Sequence, residues 1–246
     1  MGIQSLENAL SQHRAVKVIS GLNNFDHENV KSVVLAAAAG GATFVDIAAQ
    51  PDLIRMVRRL ISLPICVSAV EPVLLAEAVK AGADLVEIGN FDSFYAQGRR
   101  FEAAEVLSLT QATRALLPHT LLSVTVPHPL PLDEQVQLAQ QLVAAGADLI
   151  QTEGGTSAAP RQAGILGLIE KATPTLAAAY VISRGVSVPV LCASGLSTVT
   201  VPLAIAAGAA GVGVGAAINQ LNDEVAMVAA VRSLVEAIPC AAHVLH

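Results

Sequence analysis

Tryptophan is absent from the 246-residue sequence and aromatic residues make up only 3% of it, although apolar residues as a class reach 53%. An interior with so few rings must be filled by Ala, Val, Leu and Ile, which suits short buried parallel strands covered by Ala-rich helices. Basic residues are also few. Fourteen Lys and Arg against twenty Asp and Glu leave a net charge of −6, and no basic cluster exceeds Arg58-Arg59 and Arg99-Arg100. That distribution excludes the electrostatic footprint of a nucleic-acid-binding face. The three cysteines, Cys66, Cys192 and Cys240, are odd in number and far apart, with no Cys-x-x-Cys pair, which excludes a disulfide framework and a structural zinc site. Cys66 and Cys192 sit in apolar strand-like runs, where a small buried hydrophobe is the expected role. The six histidines are scattered and rarely fall at strand ends, so neither a metal nor a cofactor is expected.

Residues 1–7 lack a basic stretch followed by an apolar one, so no secretory signal is expected. The uncharged run from Val201 to Ile218 has the length of a membrane span, but Gly208, Gly211, Gly213 and Gly215 interrupt it and its second half alternates Gly with Val. It reads as the end of a buried helix followed by a buried strand. The expected setting is therefore a reducing, cytoplasmic one without membrane contact.

What the chain does have is an internal repeat: a helix ends in a small-residue turn and a strand of fixed pattern follows. The copies are Gly40-Gly41-Ala42-Thr43-Phe44-Val45-Asp46, Ala81-Gly82-Ala83-Asp84-Leu85-Val86-Glu87, Ala145-Gly146-Ala147-Asp148-Leu149-Ile150-Gln151 and Ala207-Gly208-Ala209-Ala210-Gly211-Val212-Gly213. Glycine at the turn suits the left-handed C-cap that closes a helix. Strands of a second kind, led by Pro64, Pro118 and Pro189, alternate with these, and Ala15 to Ser20 supplies the first. Helical patterns such as His27–Ala39, Glu102–Leu117, Asp133–Ala145 and Asn222–Ala237 fill the gaps. About eight strands in strict alternation with helices predict one (β/α)8 TIM barrel over residues 1–246, with an open doubly wound sheet as the other arrangement. Apolar, Ala-rich helices also suggest a homo-oligomer.

Aligning the repeats puts Asp46, Glu87, Gln151 and Gly213 at one position, and Ala48, Gly89, Glu153 and Gly215 one step nearer the strand end on the same side. In this fold catalytic groups sit at the C-terminal ends of the strands. Lys17, one of four lysines, interrupts the apolar strand Ala15-Val16-Lys17-Val18-Ile19, and a buried ammonium needs a carboxylate partner. Asp46 on the adjacent strand is the nearest candidate. Two readings stand open: a structural ion pair, or a functional Lys17 with Asp46, Glu87 or Glu153 as acid-base partners, acting through a Schiff base or as an electrophile.

Ser194-Gly195-Leu196-Ser197-Thr198 ends one strand and opens a helix, with Ser197 or Thr198 as N-cap, and Gly211 to Ala217 is the last strand running into its loop. The loops after the seventh and eighth strands are the usual phosphate site of this barrel. The expected phosphate ligands are thus Ser194, Gly195, Gly213, Gly215 and Ala216, through backbone N–H groups that glycine lets an anion approach. Asn90, Thr125, His128 and Gly154 end other strands and are candidate substrate contacts, although His128 between Pro127 and Pro129 also suits a rigid turn. The longest loops follow Asn90 and Gly154. The first, Phe91 to Phe101, gathers four aromatics beside Arg99 and Arg100 and suits either a lid or a subunit contact.

The segments Val188 to Gly195 and Ala206 to Ile218 resemble the phosphate-gripping end of the ribulose-phosphate-binding barrels, the group of thiazole synthase and the tryptophan- and histidine-pathway barrels. Thiazole synthase carries its strand lysine on a central strand, whereas Lys17 is on the first. Over the whole chain, Ala15 to Leu22, Val45 to Ala48, Pro64 to Pro72 and Glu87 to Asp92 are similar to the hypothetical chloroplast reading frame family, number twenty-three. That resemblance implies a photosynthetic lineage and a cytosolic or stromal setting, and no reaction. The residues together lead to an expected enzyme acting on a small phosphorylated metabolite by isomerase, lyase or synthase chemistry. The alternative is a regulatory protein that binds such a metabolite without turning it over.

Overall fold

Eight short strands, each buried on both faces, alternate with helices: β1 (Ala15–Gly21), β2 (Phe44–Ala48), β3 (Ile65–Ala69), β4 (Leu85–Ile88), β5 (Leu121–Thr125), β6 (Leu149–Gln151), β7 (Val190–Ala193) and β8 (Gly211–Val214). The structure, a computed structural model, describes residues 2–95, 97–156 and 158–239; Cys240 lies outside the described residues. Every neighbouring pair is parallel and β8 returns to β1, with Ala15 opposite Gly211 and Val18 opposite Val214, so the sheet is a closed barrel in sequence order. That closure removes the open doubly wound alternative.

The repeat has a mechanical meaning. Gly41, Gly82, Gly146 and Gly208 all have φ between +87° and +114°, the left-handed conformation in which a helix closes without a Cβ penalty. In two copies the aspartate after the turn is a tie. The Asp84 carboxylate accepts the Ile65 N–H and pairs with Arg58, which also reaches the carbonyls of Leu63 and Gly82. Asp148 accepts the Leu122 N–H and pairs with Arg114, which donates to the carbonyls of Leu117, Thr120 and Gly146. This second tie holds residues 118–120 as a turn, so the strand expected from Pro118 begins at Leu121.

Two apolar cores result. One lies between the strands and the surrounding helices. The other fills the N-terminal end of the barrel with Phe44, Cys66, Leu85, Leu149 and Leu191, sealed from below by Leu6 and Leu10 of the helix Ile3–Ser11. Cys66 and Cys192 are buried, and burial pushes both thiols up, Cys192 to about 11. With the N-terminal end plugged, the cavity formed by the described residues lies at the C-terminal end of the barrel.

The run Val201 to Ile218 resolves into the helix Val201–Ala206, strand β8 and the helix Ala216–Asn219. One helix among the described residues, Gly164–Gly185, is long and apolar enough by composition to cross a membrane. It carries Glu170, Lys171 and Arg184 and buries Ala172, Thr175, Ala178 and Ile182, the one-sided burial of an outer barrel helix.

Candidate functional site

The polar layer predicted from the aligned repeats forms directly above the apolar plug. Lys17 is fully buried and points into the barrel, where its Nζ lies 2.8 Å from Glu87 Oε2, 3.0 Å from Gln151 Oε1 and 3.3 Å from Asp46 Oδ2. The nearest carboxylate is Glu87 from across the barrel, not Asp46 from the adjacent strand as the sequence suggests, because a lysine stem reaches the axis once the barrel closes. Ser68 and Asn90 donate to Asp46, while Ser123 and the Gln151 amide donate to Glu87. Burial opposes the Lys17 charge, but the carboxylates of Asp46 and then Glu87 outweigh it and hold the ammonium above its ordinary pKa. Burial lifts Glu87 above the usual carboxylate range against the pull of Lys17, with Asp46 adding to the rise.

Above this layer opens a cavity of about 530 Å³, within the size range of small-molecule sites. Asn90 and Gln151 reach its wall, whereas Lys17, Asp46 and Glu87 do not. Asn90 has φ +60°, a conformation asparagine tolerates, and its side chain joins the cavity to Asp46. Ser194, Gly195, Gly215 and Ala216 form the wall at the ends of β7 and β8. Ser194 and Gly195 both have left-handed φ, +76° and +73°. A Cβ on Gly195 would lie 2.7 Å from Gly155 Cα, so the turns after β6 and β7 touch backbone to backbone.

Several expected contacts fall elsewhere. Gly213 lies a layer below the cavity, where a Cβ would press on Ala193 Cβ at 2.8 Å and Ile19 Cδ1 at 3.1 Å; its glycine serves close packing, and only Gly215 of that strand's end meets the mouth. Thr125 is buried and accepts from the Gln151 amide. Gly154 abuts Pro174 and His128. The helix expected from Ser197 or Thr198 starts at Val201 with Thr200 at its N-cap, because the Ser197 N–H bonds the Thr200 hydroxyl and the Thr200 N–H returns to the Ser197 carbonyl, forming a turn.

Glu153 reaches the cavity and is 4% exposed. Its Oε1 accepts the Tyr95 hydroxyl and the His128 backbone N–H, and its buried Oε2 has no hydrogen-bond partner. Burial, then repulsion from Asp92, pushes its carboxyl up to about 8. Asp92 opens the short helix Asp92–Tyr95 in the loop after β4 and accepts from the Ser194 hydroxyl at 2.8 Å, while Ser194 Oγ accepts the Thr156 N–H. One serine thus fastens three loops. His128 is half-buried and reaches Asp92 Oδ1 at 3.9 Å, and burial pulls its imidazole below the usual value against the pull of Asp92. Phe91 and Phe101 are buried and stack at 4.3 Å, with Phe94 and Arg99 against them. These aromatics anchor the loop from within and carry Asp92 and Tyr95 to the mouth. The sequence reading missed both as site residues; their only signal is polarity beside an aromatic cluster directly after a strand end.

A family model described as "Protein of unknown function (DUF561)" matches residues 2–244. The chain is 46% identical over 226 residues to "Uncharacterized protein ycf23" of Cyanophora paradoxa, covering 91% of this chain and 92% of the relative. Among solved structures it is similar to a 3-hexulose-6-phosphate synthase, with a TM-score of 0.65 and 19% identity over 92% of this chain and 100% of the other. It is also similar to the (S)-3-O-geranylgeranylglyceryl phosphate synthase of Thermoplasma acidophilum in complex with substrate sn-glycerol-1-phosphate, with a TM-score of 0.61 and 14% identity over 97% and 98%. At these identities the shared feature is the barrel.

Proposed function

The chain belongs to the DUF561 family, and from that premise and the geometry of the mouth we propose that it is an enzyme acting on a small phosphorylated metabolite. The observation that carries the reading is the cavity wall where the turn Ser194–Gly195 and the turn Gly215–Ala216 meet at the ends of β7 and β8, the corner that takes phosphate in barrels of this kind. Barrel neighbours, a 3-hexulose-6-phosphate synthase and a synthase in complex with sn-glycerol-1-phosphate, support the same substrate class. In this reading the phosphate rests on backbone N–H groups at the corner. The rest of the ligand faces Asn90, Asp92 and Glu153 over a floor made by Gln151.

Lys17, Asp46 and Glu87 then support the floor without touching the ligand. A Schiff base needs the free amine, and an ammonium held by two carboxylates and shut away from the cavity is poorly placed to supply one. Acid-base chemistry at the mouth is the version we favour, in a cytosolic or stromal compartment. The sealed state of Lys17 also favours the rival reading of a non-catalytic metabolite-binding protein. The two separate in deuterated water: an enzyme of this class exchanges carbon-bound protons of a phosphorylated ketose, followed by proton NMR, while a binder leaves them in place.

Binding is tested by calorimetry with inorganic phosphate and a triose phosphate. Gly215→Ala places a Cβ 3.1 Å from the Ile19 carbonyl and 3.8 Å from Asn219 Nδ2, crowding the corner. The expected loss of affinity is about tenfold, the equivalent of one charge-assisted hydrogen bond. Equal affinity in the variant, or no binding to the wild-type chain, contradicts the proposal.

A further inference from the structure

We propose that Asp92, His128 and Glu153 form a binding site for one divalent metal ion at the mouth of the barrel, beside the phosphate corner. The three come from different loops, yet a ligand atom of each lies within 4.8 Å of the others, and Asp92 Oδ1 and His128 Nε2 are 3.9 Å apart. Three ligands on one ion at about 2.1 Å lie roughly 3 to 4 Å from one another. The three ligand atoms, within 4.8 Å of one another, are thus about 1 Å short of the spacing that one shared ion imposes.

An independent observation points to the ion. The Glu153 Oε2 atom is buried without a hydrogen-bond partner, which is costly for a carboxylate oxygen, and a cation supplies the missing partner. The other oxygen is already held by the Tyr95 hydroxyl and the His128 N–H. Asp92 is steadied in the same way by Ser194. Outer contacts of this kind orient the ligands of metal sites. Two of the three donors are carboxylates, which suit Mn2+, and that ion serves as the probe.

The ion would also settle a charge conflict, and this part rests on the proposed function. Among the described residues the cavity wall includes Asp92 and Glu153 but neither lysine nor arginine, so a phosphorylated ligand meets two acids with no lysine or arginine in the wall beside them. A divalent ion on those acids reverses the local charge next to Ser194. Asp92 and Glu153 then act on the ligand through the metal they hold.

The test is a Mn2+ titration of the untagged full-length chain, stripped with EDTA and freed of chelator, with unbound Mn2+ read by electron paramagnetic resonance. One ion per chain is expected. Asp92→Asn and Glu153→Gln should weaken it by roughly 100-fold or more, and Tyr95→Phe by about tenfold, the cost of an outer partner. Anomalous diffraction from wild-type crystals soaked in MnCl2, which needs no variant to fold, should give a peak in contact with all three side chains. Absence of stoichiometric Mn2+, retention of binding in both ligand variants, or a peak elsewhere overturns the site. Inorganic phosphate titrated into the same sample separates the two readings. Mn2+ bound without phosphate keeps the site and removes the substrate class, and phosphate bound without Mn2+ does the reverse.

Discussion

Lys17→Met is expected to lower folding stability by roughly 3–5 kcal/mol, the cost of removing one partner from a buried ionic group, and to lower the melting temperature by on the order of 10 °C. The ammonium is the sole cation reaching Asp46 and Glu87 among the ion pairs of the described residues, and all three side chains are fully buried. Without it, two carboxyl groups face each other in the barrel interior. The variant Lys17→Met/Asp46→Asn/Glu87→Gln should recover most of the loss, because amides keep hydrogen-bonding capacity for Ser68, Ser123 and Gln151 and carry no charge to desolvate. Reversible guanidinium denaturation of the wild type and both variants measures this directly. A Lys17→Met cost below about 1 kcal/mol would mean that the ammonium does not hold the layer together.

Gly155→Ala carries the second large expectation. The added Cβ would sit 2.3 Å from the Ser194 carbonyl oxygen and 2.5 Å from Gly195 Cα, both backbone atoms. Overpacking of this kind costs about 1–3 kcal/mol, and the displacement falls on the turn proposed to grip phosphate. The expected result is a folded barrel with phosphate affinity reduced more than tenfold, of the size set by losing charge-assisted hydrogen bonds. Denaturation and calorimetry on one sample check both parts. Unchanged affinity with reduced stability would detach the corner from the ligand.

Much of the barrel is legible because its signals are local. A small-residue turn closing a helix, repeated with a strand of fixed pattern, needs no knowledge of distant contacts, and the left-handed φ at Gly41, Gly82, Gly146 and Gly208 is its direct result. The convergence of Lys17, Glu87 and Gln151 is legible for a similar reason: period-two alternation gives these residues one facing, and a closed parallel barrel turns that facing inward. Which carboxylate lies nearest the ammonium is not local. Strand adjacency favours Asp46, whereas side-chain reach across the axis favours Glu87.

The mouth is the least legible part. Its wall comes from loops whose paths depend on tertiary anchors, such as the stacked Phe91 and Phe101 that bring Asp92 and Tyr95 inward. The Gly211-Val212-Gly213-Val214-Gly215 run shows the same limit within one strand. Gly211 and Gly213 are there because a Cβ would meet Ala15 or Ala193, and Gly215 alone faces the cavity; in one dimension the three look alike. The N-terminal helix that plugs the barrel went unforeseen, because it is only nine residues long and buries just Leu6 and Leu10, with Ile3 and Ala9 partly covered beside them.

A crystal grown with inorganic phosphate decides the matter most directly. The proposed corner requires a phosphate peak within hydrogen-bonding distance of the backbone N–H groups around Gly195 and Ala216. Phosphate bound only at other positions, with that corner left to water, would contradict it.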